Sequence, residues 1–217
     1  MAKNAKQQPA AAAKGWSTLG RTVSVEFTEK KSVFIGHAAP VQNEQQALDF
    51  IRDIRHRYAD ATHNVYAYML REGSTARYSD DGEPQGTAGI PVLDVIRKKQ
   101  FTDAVLVVTR YFGGILLGAG GLVRAYGNAA RMAAEESGIV TYRENTECTL
   151  QCDYTAYQRI AAELPFFDAR VEDSVFESAV SLRIVLRSEL YERFSARVCE
   201  MTAGKTLPEV IRVFFGP

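Results

Sequence analysis

Residues 104–126 read Ala-Val-Leu-Val-Val-Thr-Arg-Tyr-Phe-Gly-Gly-Ile-Leu-Leu-Gly-Ala-Gly-Gly-Leu-Val-Arg-Ala-Tyr. The first six are apolar on both sides of an extended chain, as a central strand covered on two faces must be. A turn dense in glycine follows, with Gly113, Gly114, Gly118, Gly120 and Gly121. A helix is then expected to about Ser137, with Gly138 in the C-cap position. A buried strand leading through glycines into a helix is the kernel of an α+β fold, and the flanking segments extend it.

Upstream, residues 23–41 read as two strands joined near Lys30-Lys31, with Val23, Val25 and Phe27 alternating on one side. Asn43, with Gln46 three positions on, makes a capping-box start for a helix whose Ala47, Phe50, Ile51, Ile54 and Tyr58 recur at helical spacing. Residues 62–70 return to strand, placing His63, Val65, Ala67 and Met69 on one face. Residues 71–86 are polar and turn-rich. A short helix follows, with Thr87 as its expected N-cap and Pro91 in its first turn.

Downstream the rhythm changes. Strand 146–152, helix 155–164, strands 168–175 and 178–187, helix 189–202 and strand 208–214 follow in the order βαββαβ, the ferredoxin-like plan. The expected organisation is a flexible tail over 1–19, a first domain over 20–143 and a ferredoxin-like domain over 146–217.

The 217 residues carry 26 basic and 26 acidic side chains. No broad basic excess exists outside the tail (Lys3, Lys6, Lys14), so any nucleic-acid contact has to come from a local patch. No apolar stretch is long enough for a membrane span. Cys148, Cys152 and Cys199 form neither a disulfide framework nor a zinc spacing. A cytosolic protein is expected, with no cofactor and no metal centre.

The glycine segment is the sharpest chemical feature. Glycines let a backbone approach a ligand closely, and the open amides of a helix start attract anions. Arg110 at the strand end and Arg124 in the helix are suited to forked bonds with phosphate or carboxylate. The expected ligand-binding set is Thr87, Arg110, Tyr111, Gly113, Gly114, Gly118, Gly120, Gly121 and Arg124. These glycines do not continue into the Gly-Lys-Ser/Thr of a Walker loop, and Val123 stands where a dinucleotide fingerprint needs its last small residue. The alternative is a tight strand-to-helix connection whose glycines serve packing alone.

Asp80, Asp81 and Glu83 place three carboxylates in four positions. They could hold Mg²⁺ or divide acid and base roles; Asp-Gly and Pro84 are equally what a solvated turn requires. His63 could pair with Asp80 or Asp81 as a general base if the acidic loop folds back over its strand. On its apolar face it could instead be a hydrogen-bonded core residue. His63, Asp80, Asp81 and Glu83 are therefore the catalytic candidates, and Arg97-Lys98-Lys99 is a second candidate for phosphate contact.

Asp80-Asp81-Gly82-Glu83-Pro84-x-Gly86-Thr87-Ala88-Gly89-x-Pro91 and the run from Arg110 to Tyr126 resemble the signature of the YigZ/IMPACT family. The resemblance extends to Lys31-Ser32-x-Phe34-Ile35 and Ala61-x-His63-x-x-x-Ala67. It implies a first domain of the type shared by a small-subunit ribosomal protein, elongation factor G and the small-molecule kinases with glycine-rich loops. It also implies a last domain resembling that of elongation factor G. Eukaryotic relatives are linked to control of translation under amino-acid stress through protein partners, and bacterial members to nucleic acid or the ribosome. The resemblance thus implies a binding protein of translation regulation, with RNA, a ribosomal site or a protein of the translation machinery as partner. An enzyme (a hydrolase or phosphotransferase) acting on an anionic small molecule, and a protein–protein adaptor, are the other two readings.

Overall fold

The computed structural model describes residues 15–217. The tail expected over 1–19 lies outside the described residues except for its last five. Those form a strand, β1 (Gly15–Leu19), where a flexible end was expected. Leu19 enters the hydrophobic core, Thr18 Oγ1 donates to Asp103 O at 2.9 Å, and Thr102 N donates to Ser17 O at 2.9 Å. These partners lie more than eighty residues away, so nothing local in the sequence announces the strand.

By its contacts the chain divides into Trp16–Thr141 and a second unit of Tyr142–Pro217 with Gly15. The division falls inside a strand, Ile139–Cys152, that is continuous across it.

The first unit is an antiparallel sheet of β2 (Val23–Glu29), β3 (Ser32–Pro40), β4 (His63–Met69), β5 (Ala76–Ser79) and β6 (Ala104–Tyr111). Their order across the sheet is β2-β3-β6-β4-β5, which makes β6 the middle strand. Its residues divide by twos. Val105 and Val107 pack with Ala47, Ile51 and Ile54 of α1 (Glu44–Arg57). Ala104, Leu106 and Val108 pack against α2 (Gly89–Lys98) and α3 (Ala119–Ser137) on the other face. A strand buried on both faces explains its unbroken apolar run.

Local signals act as expected at several ends. Asn43 accepts from Gln46 N at 3.0 Å at the start of α1, and the Gln46 side chain accepts from Gln42 N at 2.8 Å. Gly138 ends α3 with φ +73°. A Cβ at Gly36 would stand 2.3 Å from Ala129 O, so glycine is what lets α3 cross β3 this closely. The β2–β3 turn is made by Lys30 and Lys31 with φ +45° and +66°, a left-handed pair that glycine or asparagine usually fills.

The second unit follows the order β7 (Ile139–Cys152), α4 (Tyr154–Glu163), β8 (Arg170–Phe176), β9 (Val180–Arg187), α5 (Ser188–Met201) and β10 (Glu209–Gly216). Its strands lie β10-β7-β9-β8, all antiparallel, the sheet order of the ferredoxin-like plan. Cys148, Leu150, Cys152, Leu182, Ile184 and Leu186 form its sheet-side core under Ile160, Phe194 and Val198. Both even-spaced cysteines are therefore core residues, and burial raises their thiol pKa values, that of Cys148 to about 11.

Candidate functional site

Counting by twos along β6 carries Leu106 and Val108 to Arg110, so its side chain points to the α2/α3 face with the core. There it meets Glu83. Arg110 Nη1 lies 2.5 Å from Glu83 Oε1, and the two side chains are only 6% and 4% exposed. Tyr126 OH, from the buried stripe of α3, donates to the same oxygen at 2.7 Å. Burial first, and then the Glu83 charge, raise the Tyr126 phenol far above its ordinary pKa and keep it a donor. Phe34 and Phe112 stand 5.5 Å and 5.4 Å from the guanidinium carbon, within cation–π reach. Arg110 Nε is buried and has no hydrogen-bond partner among the described residues.

His63 lies opposite Arg110 on the neighbouring strand. Its Nδ1 is 2.8 Å from Asp81 O; a carbonyl only accepts, so Nδ1 carries the proton. In the neutral ring Nε2 is then a lone pair, and it faces Glu83 Oε1 at 3.7 Å. The acidic loop does fold back over the strand, but through the Asp81 backbone.

The three carboxylates separate. Asp80 Oδ1 accepts from Ala88 N at 3.1 Å and Gly89 N at 2.8 Å, while Oδ2 accepts from Gly86 N at 2.9 Å. Asp80 therefore caps α2 from nine residues away. The cap expected of Thr87 is absent, because its hydroxyl donates backwards to Pro84 O at 2.7 Å. Asp81 bonds Arg55 Nη2 at 2.6 Å and Asn64 N at 2.7 Å. With Glu83 held by Arg110 and Tyr126, the trio has no common focus for Mg²⁺. Among the described residues no group of three or more His, Cys, Asp or Glu could hold a metal ion.

The glycine segment divides in two. Its start is anchored: Phe112 N donates to Thr62 Oγ1 at 3.0 Å and Gly113 N to Ser32 Oγ at 3.1 Å. A Cβ on Gly113 would stand 2.0 Å from the Lys31 backbone. Tyr111 is tied to Asp60 at 2.9 Å, a bond that raises its pKa. From Gly114 onward the segment is open. Gly114 and Gly118 have φ +81° and +73°, and Leu116 is 82% exposed. Gly118 supplies no side-chain cap to α3, whose first internal bond is Leu122 N to Gly118 O. Among the described residues nothing bonds the amides of Ala119, Gly120 and Gly121, and Arg124 has no ion pair. Arg124, Gly121 and Leu117 line a depression of about 360 Å³ with Lys30 and Glu29 from the β2–β3 turn.

The two arginines expected to clamp one ligand are thus apart in role: Arg110 is spent inside the fold and Arg124 is offered outside. His63, Asp81, Glu83 and Arg110 come together, Thr87 closes the loop beside them, and Gly114 to Gly121 lead to Arg124. Ser32, Arg55, Asn64 and Tyr126 were not expected in the cluster. A signal existed for Tyr126, since a hydroxyl on a helix's apolar stripe needs a buried acceptor.

Two further features lie outside it. Across β6, on the α1 face, Ser24 Oγ, His37, Thr109 Oγ1 and Asn64 Oδ1 form a chain with links of 2.7, 3.2 and 2.7 Å that runs from exposed Ser24 to buried Asn64. Sequence reasoning also passed over Gly204-Lys205-Thr206. The triplet joins α5 to β10 where a Walker loop must open a helix, Cys199 stands at its first glycine, and Thr206 Oγ1 donates to Gln151 O at 3.0 Å.

Fold and site together define a two-unit α+β protein with a sealed ionic cluster and an open, glycine-led helix start. The Impact N-terminal domain family matches residues 30–134, and a domain of unknown function (DUF1949) matches 150–205. The IMPACT family member YvyE of Bacillus subtilis (strain 168) is 37% identical over 182 residues, spanning 83% of this chain and 84% of that one. YigZ of Escherichia coli (strain K12), an IMPACT family member, is 35% identical over 194 residues, spanning 87% and 94%. A crystal structure of a hypothetical protein superposes with TM-score 0.57 at 33% identity, over 91% of this chain and 98% of that one. The chain belongs to the IMPACT family. Among the described residues no helix is long and apolar enough to cross a membrane.

Proposed function

We propose that this chain is a binding protein of translation regulation that holds a phosphate-bearing partner, an RNA or a ribosomal site, at the start of α3. One observation carries the reading. The amides of Ala119, Gly120 and Gly121 are unclaimed beside the exposed charges of Arg124 and Lys30. An uncapped helix start with two cations is suited to a phosphate, while Glu29 in the same depression limits the attraction to a local patch. The link to translation is what the resemblance to the IMPACT family implies.

Anisotropy of a labelled RNA hairpin, and co-sedimentation with small ribosomal subunits, test it across a salt series. Arg124→Ala with Lys30→Ala is expected to weaken binding and lower the salt slope by about 2. Salt-insensitive binding, or binding unchanged by the pair of substitutions, overturns the proposal.

A second reading, an enzyme on an anionic small molecule, is favoured by His63, whose ring is oriented by the Asp81 carbonyl with Nε2 turned towards Glu83. It demands turnover of a phosphate or acyl ester that His63→Gln abolishes without loss of fold. A silent panel of such esters removes it.

A further inference from the structure

The trough between α2 and α3 adjoins the helix start, shares Arg124 and Asn128 with it, and is otherwise lined differently. Ile90, Asp94 and Lys98 come from one helix and Val123, Gly127 and Arg131 from the other, each set at four-residue spacing along a single stripe. The helices approach closely at the floor, where a Cβ on Gly127 would lie 4.0 Å from Pro91 Cβ. The space above measures about 470 Å³. Ile90 and Val123 face it from opposite walls while 39% and 42% exposed. The two aliphatic walls leave a groove that an apolar side chain of a partner helix could enter.

Its charges select the occupant. Lys98, Arg124 and Arg131 rim the trough against Asp94 alone. Asp94 lies 3.9 Å from Arg97, and Arg131 is held by Glu135, whereas Lys98 and Arg124 have no ion pair among the described residues. The charges left open are positive. The walls are aliphatic, with no aromatic ring in the lining, so the trough lacks the platform on which unpaired bases stack. We propose that it receives an acidic amphipathic helix of a partner protein, whose Leu or Ile side chains enter between Ile90 and Val123 and whose carboxylates meet Lys98 and Arg124. The inference shares Arg124 with the anion site and differs from it in Lys98 and in the apolar walls of Ile90 and Val123, which contribute nothing to phosphate binding.

The test is a ¹H–¹⁵N titration of the full chain with a synthetic peptide carrying Leu and Glu at helical spacing, its scrambled counterpart, and the RNA hairpin. The expected result is saturable shifts confined to 90–98 and 123–131, from the ordered peptide only. Val123→Asp is expected to weaken the peptide by about tenfold or more, and Lys98→Glu by several-fold at low salt. Both residues are exposed, and each variant's own spectrum verifies its fold. Shifts that do not saturate, equal binding of the scrambled peptide, an unaffected Val123→Asp variant, or RNA occupying the trough each overturn the proposal. Loss of RNA binding in a Lys30→Ala variant, whose residue lies outside the trough, bears only on the helix-start site, and Lys98 and Val123 bear only on the trough.

Discussion

Lowering the pH should loosen the first unit through His37. The ring is fully buried beneath α1 and bonded at both nitrogens. Thr109 Oγ1 gives its proton to Asn64 Oδ1, so it accepts from His37 Nε2–H, and Nδ1 must accept from the Ser24 hydroxyl. A second proton on the ring would make the Ser24 hydroxyl turn and accept, and would place a charge in a buried site. Burial, and secondarily the charge of Arg57, lower the pKa from 6.5 to about 4. A folded pKa below the unfolded one means the unfolded chain binds more protons between those values. The stabilisation is complete above pH 6.5 and is lost as pH falls towards 4. The loss is about 2 kcal/mol at pH 5 and about 3 kcal/mol below pH 4. Urea titrations followed by Trp16 fluorescence read this directly, because the chain's one tryptophan lies in the first unit. Carboxylates elsewhere also titrate in acid, so the decisive quantity is the difference from His37→Gln, which shares them. That variant carries a constant offset and lacks the fall between pH 6.5 and 4. A difference curve flat with pH, or one of the opposite slope, refutes the neutral, doubly bonded ring.

Arg110→Ala leaves the buried Glu83 carboxyl without its partner, and the unfolding free energy from urea titrations should drop by about 3–5 kcal/mol. Arg110→Met with Glu83→Leu and Tyr126→Phe removes all three polar ends together and should cost clearly less than the single change. Asp80→Ala strips three amides of their acceptor at the head of α2; a loss of about 1–2 kcal/mol is expected, read as a fall in Tm. Gly36→Ala drives a methyl into Ala129 O, so α3 must lift from β3 at a cost of about 1–3 kcal/mol, visible in the same melts.

Periodicity reached those features that depend on near neighbours. The two-sided run of β6, the Asn43 start of α1, the Gly138 end of α3 and the βαββαβ order of the second unit were all legible. Each is decided by residues within a turn or two of one another. What stayed hidden needed partners from elsewhere. Asp80 as the cap of α2 requires the loop to close across nine residues, whereas Thr87 satisfied the local rule and lost to the longer reach. Leu19 is core because Phe101 and the α3 stripe surround it, which no pattern within Gly15–Leu19 encodes. Arg110 was within reach: the alternation that sorted β6 into two faces puts it beside Val108 on the covered one. Taking it for a solvent-facing ligand gave the glycine context precedence over that count.

The Lys30–Lys31 turn carries a consequence for how sequence can change at this corner. Two side chains with Cβ atoms sit in left-handed backbone at a cost of roughly 1–2 kcal/mol each, against a glycine pair that would relax it. Lys30→Asn with Lys31→Gly should therefore give a protein that melts later and carries two fewer cations next to Gly113. If selection acted on thermal endurance alone, that exchange would be an easy gain. Keeping lysine at both positions trades resilience for charge, as a surface does when its purpose is to meet something.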